Sequence, residues 1–183
     1  MHKVEVIDYQ KSWIDRYNAE ADTLRNSTGF LNPDIHHIGS TSVPGLSAKP
    51  IIDILLEVDD VGCLDDHVKC LEAIGYHARG ENGIPGRRYF EKGGDNRTHQ
   101  IHAFNRDSFG AMRHLAFRDY LSNHPQVAHE YALLKKKVAE TCNNDIDRYC
   151  DGKARLVKKH EEIAIEWNSR NSRMQSAATE LQG

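Results

Sequence analysis

The run IIDILLEV, Ile51 to Val58, is apolar apart from Asp53 and Glu57. Aspartate is a poor strand former, and its charge is costly to bury without a metal ion, a cation or several hydrogen-bond donors. About a dozen residues earlier stand Gly39, Ser40, Thr41 and Ser42. A glycine there lets backbone approach a ligand closely, and successive amide and hydroxyl donors can surround a phosphate. Lys49 adds a point charge between the two segments. A structural ion pair from Asp53 to Arg88 or Lys49 would satisfy the acid equally well. Pro44 pushes Val43 out of the helical region, so the Gly-Ser segment is expected to form a backbone nest or a single helical turn. Glu57 lies four residues beyond Asp53, about 13 Å along an extended strand, too far to share an ion with it. It reads as a solvated acid.

A second polar segment is RTHQIHAF. On a strand, Gln100, His102 and Phe104 share one face, and His99, Ile101 and Ala103 share the other. His102 can face the Asp53 site if the two strands are neighbours, where an imidazole suits Mn²⁺, Zn²⁺ or proton transfer better than Mg²⁺. Arg87 and Arg88, with Lys92 and Arg97 nearby, offer forks that match phosphate oxygens. Arg118 and Lys153 stand further along, whereas Lys135-Lys136-Lys137 and Lys158-Lys159 read as exposed helix faces. No Walker loop, G-x-S-x-G elbow, H-E-x-x-H helix or dinucleotide fingerprint is present.

The elements that must position these residues follow from periodicity. A helix is expected over Gln10–Leu24, with Trp13, Ile14, Tyr17, Ala21 and Leu24 on one face, then a loop from Asn26 to Pro33. Strands are expected at Ile35–Ile38, Ile51–Val58, Tyr76–Arg79, Arg88–Glu91 and His99–Asn105. The second of these is apolar on both faces and reads as a central strand. A helix over Gly62–Ile74 closes at Gly75. Further helices are expected at Ser108–Leu121, Pro125–Thr141 and Asp151–Trp167, with Pro125 well placed in a first turn. The fold class is α+β: a small mixed sheet flanked by helices, with a helical C-terminal part. One domain over 1–167 is expected, with a polar, flexible tail over 168–183.

The chain has 183 residues, 39% hydrophobic and 28% charged, enough to bury a core without staples. A net charge of −3 gives no general reason to expect nucleic acid or an anionic membrane as partner. No apolar run resembles a signal peptide or a membrane span, so a cytoplasmic location is expected. The four cysteines, Cys63, Cys70, Cys142 and Cys150, lack metal-site spacing. They read as reduced thiols, Cys63 and Cys70 as small core residues on one helix face.

Six segments in order, HIGSTSVPGLSAKPIIDILLEV, GYHARGENGIPGRRYF, RTHQIHAF, FRDYLSNHP, YALLKKKVA and GKARLV, resemble the GrpB family over about Val4 to Trp167. The resemblance implies the polymerase-beta-like fold of the nucleotidyltransferase superfamily, and a similar domain occurs fused to dephospho-CoA kinase. In that superfamily a Gly-Ser turn is followed by Asp-x-Asp on the next strand and a third acid later, which together hold two divalent ions. Matched to that pattern, Gly39-Ser40 fits, Asp53 is the second acid, Ile51 replaces the first, and His102 occupies the third position. His36 and Gln100 also depart from the family's usual glutamate and histidine, leaving Asp53, His99 and His102 as the polar candidates.

Besides a structural or protein-interaction role through the polar tail and basic helix faces, two readings are left. One is a protein that binds a nucleotide or CoA-like small molecule through its phosphate at a diverged site, with Gly39, Ser40, Thr41, Ser42, Lys49, Arg87 and Arg88 as binding residues. The other is a metal-dependent nucleotidyl- or phosphotransferase with Asp53 and His102 as catalytic residues and ligands of Mg²⁺ or Mn²⁺. The oligomeric state is left open.

Overall fold

In the computed structural model, which describes residues 4–180 without the side chains of residues 30 and 175–180, strand β2 (Ile52–Val58) divides the molecule. Its alternation sends Ile52, Ile54, Leu56 and Val58 to one face of the sheet and Asp53, Leu55 and Glu57 to the other. Strand β1 (Asp34–Ile38) pairs with it antiparallel, and β5 (His99–Asn105) pairs with it parallel. Beyond β5 lie β4 (Arg88–Lys92) and then β3 (Tyr76–Ala78), both antiparallel to their neighbours, giving the order β1-β2-β5-β4-β3. β2 is thus an inner strand of a mixed five-stranded sheet, and both its faces are covered.

Helix α1 (Ser12–Thr28) and the short helices α2 (Cys63–Asp66) and α3 (Val68–Ala73) cover the first face. Trp13, Leu24, Leu64 and Leu71 pack there on Ile52, Ile54, Leu56, Phe90 and Ile101. Each fully buried Leu, Ile or Phe side chain contributes about 1.5–3 kcal/mol. The other face receives α4 (Phe109–Asn123), whose Ala111 packs on Ile38, Leu55 and Phe104. Gly110 permits that close approach: a Cβ there would lie 2.4 Å from the Phe104 ring. Helices α5 (Pro125–Thr141) and α6 (Ile146–Glu180) complete a second core around Leu46, Ala116, Tyr120, Tyr131 and Ala164.

Several boundaries differ from the periodicity. α1 runs on to Thr28, whose buried hydroxyl donates to the Leu24 carbonyl at 2.8 Å, so the loop begins later than expected. The helix expected over Gly62–Ile74 is broken at His67, where a ring nitrogen hydrogen-bonds the Cys63 carbonyl at 2.7 Å. Cys63 and Cys70 consequently sit on two short helices and are half-buried; all four cysteines are free. α6 begins at Ile146 because the Asp145 carboxylate accepts from the amides of Asp147 and Arg148. The helix continues through the segment expected to be a flexible tail, as far as Glu180; the end of that segment, 181–183, lies outside the described residues. Among the described residues no helix is long and apolar enough to cross a membrane.

Candidate functional site

Proline restricts the segment after β1 as expected. Ser40–Ser42 forms one turn of 3-10 helix, and Val43 leaves it in extended conformation. Gly39 precedes the turn with φ at +70°, and a Cβ there would lie 2.4 Å from Asp53 Oδ2. The glycine is therefore required twice, by its backbone angle and by the acid packed against it. The Ser42 hydroxyl donates back to the Gly39 carbonyl at 2.6 Å and is spent inside the turn. Ser40 and Thr41 line a cavity of about 70 Å³ with Asp53, and Thr41 Oγ1 also hydrogen-bonds His37 Nε2 at 3.0 Å.

The rest of that cavity comes from Ala48, Lys49, Ile51 and Gln100 and from the helical part: Tyr131 and Lys135 on α5, Tyr149 and Lys153 on α6. Lys135 is 2% exposed, and its ammonium has no hydrogen-bond partner among the described residues. It lies 4.4 Å from the centre of the Tyr131 ring. Burial pushes its pKa down to about 7, with the charge of Lys153 acting in the same direction and that of Asp53 against it. Lys49 is also lowered, first by burial and then by Lys153, again opposed by Asp53. Lys49 and Lys153 each stand 5.3 Å from the centre of the Tyr149 ring. Burial raises the phenols of Tyr131 and Tyr149. Three amines thus converge on one small cavity in which, among the described residues, Asp53 is the sole carboxylate.

β5 brings His102 to the same face as Asp53, with Nε2 3.6 Å from Asp53 Oδ1. The other expected residues divide. Gly39, Ser40, Thr41, Lys49 and Asp53 come together, while Ser42 faces its own turn. Arg88 points to the opposite face, as alternation from Tyr89 requires, and its guanidinium grips Asp65 at 2.6 and 2.7 Å. It therefore neither pairs with Asp53 nor faces the cavity. Arg87 is buried, and its donors go to the Glu81 and Asn82 carbonyls and to His102. His99 lies on the far face, 3.9 Å from Glu20, and burial holds its pKa at about 4. Glu57 is not solvated: it is 6% exposed, faces His36 Nε2 at 3.1 Å and accepts from the Asp107 amide at 3.3 Å.

Lys135 was hidden in an apparently exposed run of three lysines. The signal was its spacing, since Ala128, Tyr131, Ala132 and Lys135 form the buried stripe of α5. Lys136 falls off that stripe and pairs with Asp8. A larger opening, about 440 Å³, lies elsewhere, between Pro85, Phe104, Phe109 and Arg113, and gathers no comparable charge.

The divalent ions implied by the nucleotidyltransferase resemblance require a cluster of carboxylates. The donors around Asp53 do not fit a two-ion centre: one acid faces three amines, and among the described residues no three His, Cys, Asp or Glu side chains gather to hold a metal.

The family model described as GrpB protein matches residues 3–162. The chain is 45% identical over 165 residues to UPF0157 protein YqkA of Bacillus subtilis, covering 90% of this chain and 48% of that protein. It therefore spans about half the length of this relative. A crystal structure of conserved protein GrpB from Enterococcus faecalis matches at a TM-score of 0.85 and 40% identity, over 90% of this chain and 99% of that one. The Cid1 poly(U) polymerase bound to Mg 3'-dATP matches at a TM-score of 0.50 and 13% identity, over 71% of this chain and 41% of Cid1, a likeness of fold alone. A dephospho-CoA kinase of Mycolicibacterium paratuberculosis is 25% identical over 189 residues, covering 90% of this chain and 46% of the kinase.

Proposed function

The chain belongs to the GrpB family, and from that premise we propose that it binds the phosphate end of a nucleotide or CoA-like small molecule in the cavity between the sheet and helices α5 and α6. One observation carries this reading. Lys135 presents a buried ammonium with no hydrogen-bond partner among the described residues, beside Lys49 and Lys153, in a cavity whose one described carboxylate is Asp53. Burying an unpaired cation is costly, and an incoming anion removes the cost. The Ser40 and Thr41 hydroxyls, which line the same cavity, would supply neutral donors. A volume of about 70 Å³ is several times the ~10–15 Å³ that one water requires by the same measure, so it has room for a single terminal phosphate. The remainder of the ligand would leave past Lys49 and Ile51, which also border an opening of about 400 Å³ lined by Arg16, Asn96 and Arg97. The likeness to a dephospho-CoA kinase supports including CoA-like compounds among the ligands tested.

The test is a thermal-shift panel of inorganic phosphate, nucleotides and CoA compounds, run in EDTA and in Mn²⁺. Wild type, Lys153→Met and Asp53→Asn are compared. The proposal expects a shift in EDTA that Lys153→Met abolishes and Asp53→Asn keeps. A shift that needs Mn²⁺ and disappears in Asp53→Asn would instead favour the metal-dependent transferase, the reading that the 3.6 Å approach of Asp53 to His102 supports.

A further inference from the structure

Arg87 is 5% exposed, and all three of its hydrogen-bonding nitrogens are committed. Nε donates to the Glu81 carbonyl at 3.1 Å and Nη2 to the Asn82 carbonyl at 2.7 Å, tying the guanidinium to the loop before β4. Nη1 lies 3.2 Å from His102 Nδ1. A guanidinium has no acceptor lone pair and keeps its protons in proteins, so this contact requires a bare Nδ1. A neutral imidazole then carries its one proton on Nε2, the nitrogen 3.6 Å from Asp53 Oδ1. The ring is held in that orientation by its surroundings. Tyr89 packs edge-on at 5.4 Å between centroids, the Arg87 guanidinium lies 4.9 Å from the centre of the same Tyr89 ring, and the His114 ring stands at 5.1 Å.

We infer that Arg87 is a positioning residue: it fixes His102 as the Nε2–H tautomer, so that the ring presents a hydrogen-bond donor, not a metal-binding lone pair, beside Asp53. The distance to Asp53 is long for a hydrogen bond, which leaves the N–H available to an acceptor entering the site. Where the related nucleotidyltransferases place an acid that shares a cation with its neighbours, this chain places a donor suited to a phosphate oxygen. That last step rests on the phosphate reading above; the tautomer does not.

The test is long-range ¹H–¹⁵N correlation of the histidine rings in ligand-free protein in EDTA at about pH 7.5. The His102 signals are identified by their loss in His102→Asn, with the other histidine signals reporting an intact fold. Wild type is expected to show Nδ1 bare and Nε2 protonated at His102. Arg87→Met should turn that pattern into a mixture of tautomers, a change that a purely structural arginine would not cause. Mn²⁺ added to wild type should leave His102 no broader than the surface histidines. A ring protonated on Nδ1 in wild type, or selective broadening of His102 at stoichiometric Mn²⁺, overturns the inference, and neither reading needs the Arg87 variant to fold. Inorganic phosphate is then added to the same sample. If it leaves every signal unmoved while the Nε2–H ring is present, the phosphate reading fails and the role of Arg87 stands.

Discussion

Replacing Lys135 by methionine should make the protein more stable and unable to hold phosphate. Burial holds this amine at about 7, against 10.5 for an ordinary lysine. That difference, about 3.5 pH units, corresponds to a ceiling of about 5 kcal/mol for keeping the ammonium charged in the empty cavity. Relaxation around an apolar replacement reduces the return, and exchanges of buried ionic groups for apolar ones commonly stabilise by about 1–4 kcal/mol. The sign with pH follows from the direction. The folded state binds this proton less readily than the unfolded chain, so folding releases it between pH 7 and 10.5, and stability climbs with pH across that window. Methionine removes the climb, so the gain over wild type should be largest at pH 7 and should shrink by about pH 9.5. Urea unfolding of both proteins at the two pH values measures this. Phosphate at 100 times its dissociation constant should add about 2.7 kcal/mol to wild type and nothing to the variant. A variant less stable than wild type at pH 7, or equally stabilised at both pH values, would refute the argument from a buried, unpartnered ammonium.

Two other perturbations probe the floor of the site. Gly39→Ala forces a side chain into a left-handed backbone angle and against Asp53, and should cost at least about 1–3 kcal/mol in stability and displace the acid; an unchanged melting temperature would remove the case for the close approach. His37 is half-buried, and desolvation lowers its pKa to about 4 from 6.5, so the unfolded chain takes up this proton first and stability falls as pH drops from 6.5 towards 4. His37→Gln should flatten that part of the stability–pH curve by about one proton, and a slope that does not change would place the acid sensitivity elsewhere.

The apolar run of β2 was enough to identify it as an inner strand, and period-two alternation put Gln100 and His102 on one face of β5, because both depend on residues a few positions apart; that Asp53 shares this face depends on β2 and β5 lying side by side. Pro44 likewise limited the Gly-Ser segment to a single turn. What the sequence concealed depends on packing between distant segments. Glu57 reads as a surface acid until His36 and the turn at Asp107 engage it. Arg87 and Arg88 look equivalent as neighbours in a basic cluster, yet adjacent strand positions face opposite sides of a sheet. One therefore holds His102 and the other holds Asp65. The lysine run of α5 shows the same limit on a helix. Composition marks all three as solvated, and only the stripe through Ala128, Tyr131 and Ala132 singles out Lys135.

Charge balance ties these differences into one account of the site. Two divalent ions bring four positive charges, and a cavity built for them must supply carboxylates to offset that charge before substrate arrives. The sequence resemblance would put Ile51 and His102 where the first and third acids are expected, and the cavity wall adds Lys49, Lys135 and Lys153. Placing divalent ions beside those amines would add like-charge repulsion to a cavity that already lowers two of them. An anion does the reverse, since it restores the ordinary affinity of Lys135 for its proton and should bind with proton uptake near neutral pH. Sulfate, an anion of the same shape with no titrating proton near neutral pH, titrated into the protein at pH 7.5 in two buffers of different ionisation enthalpy should therefore give different apparent heats. Equal heats in the two buffers would mean that Lys135 is not the group the ligand meets.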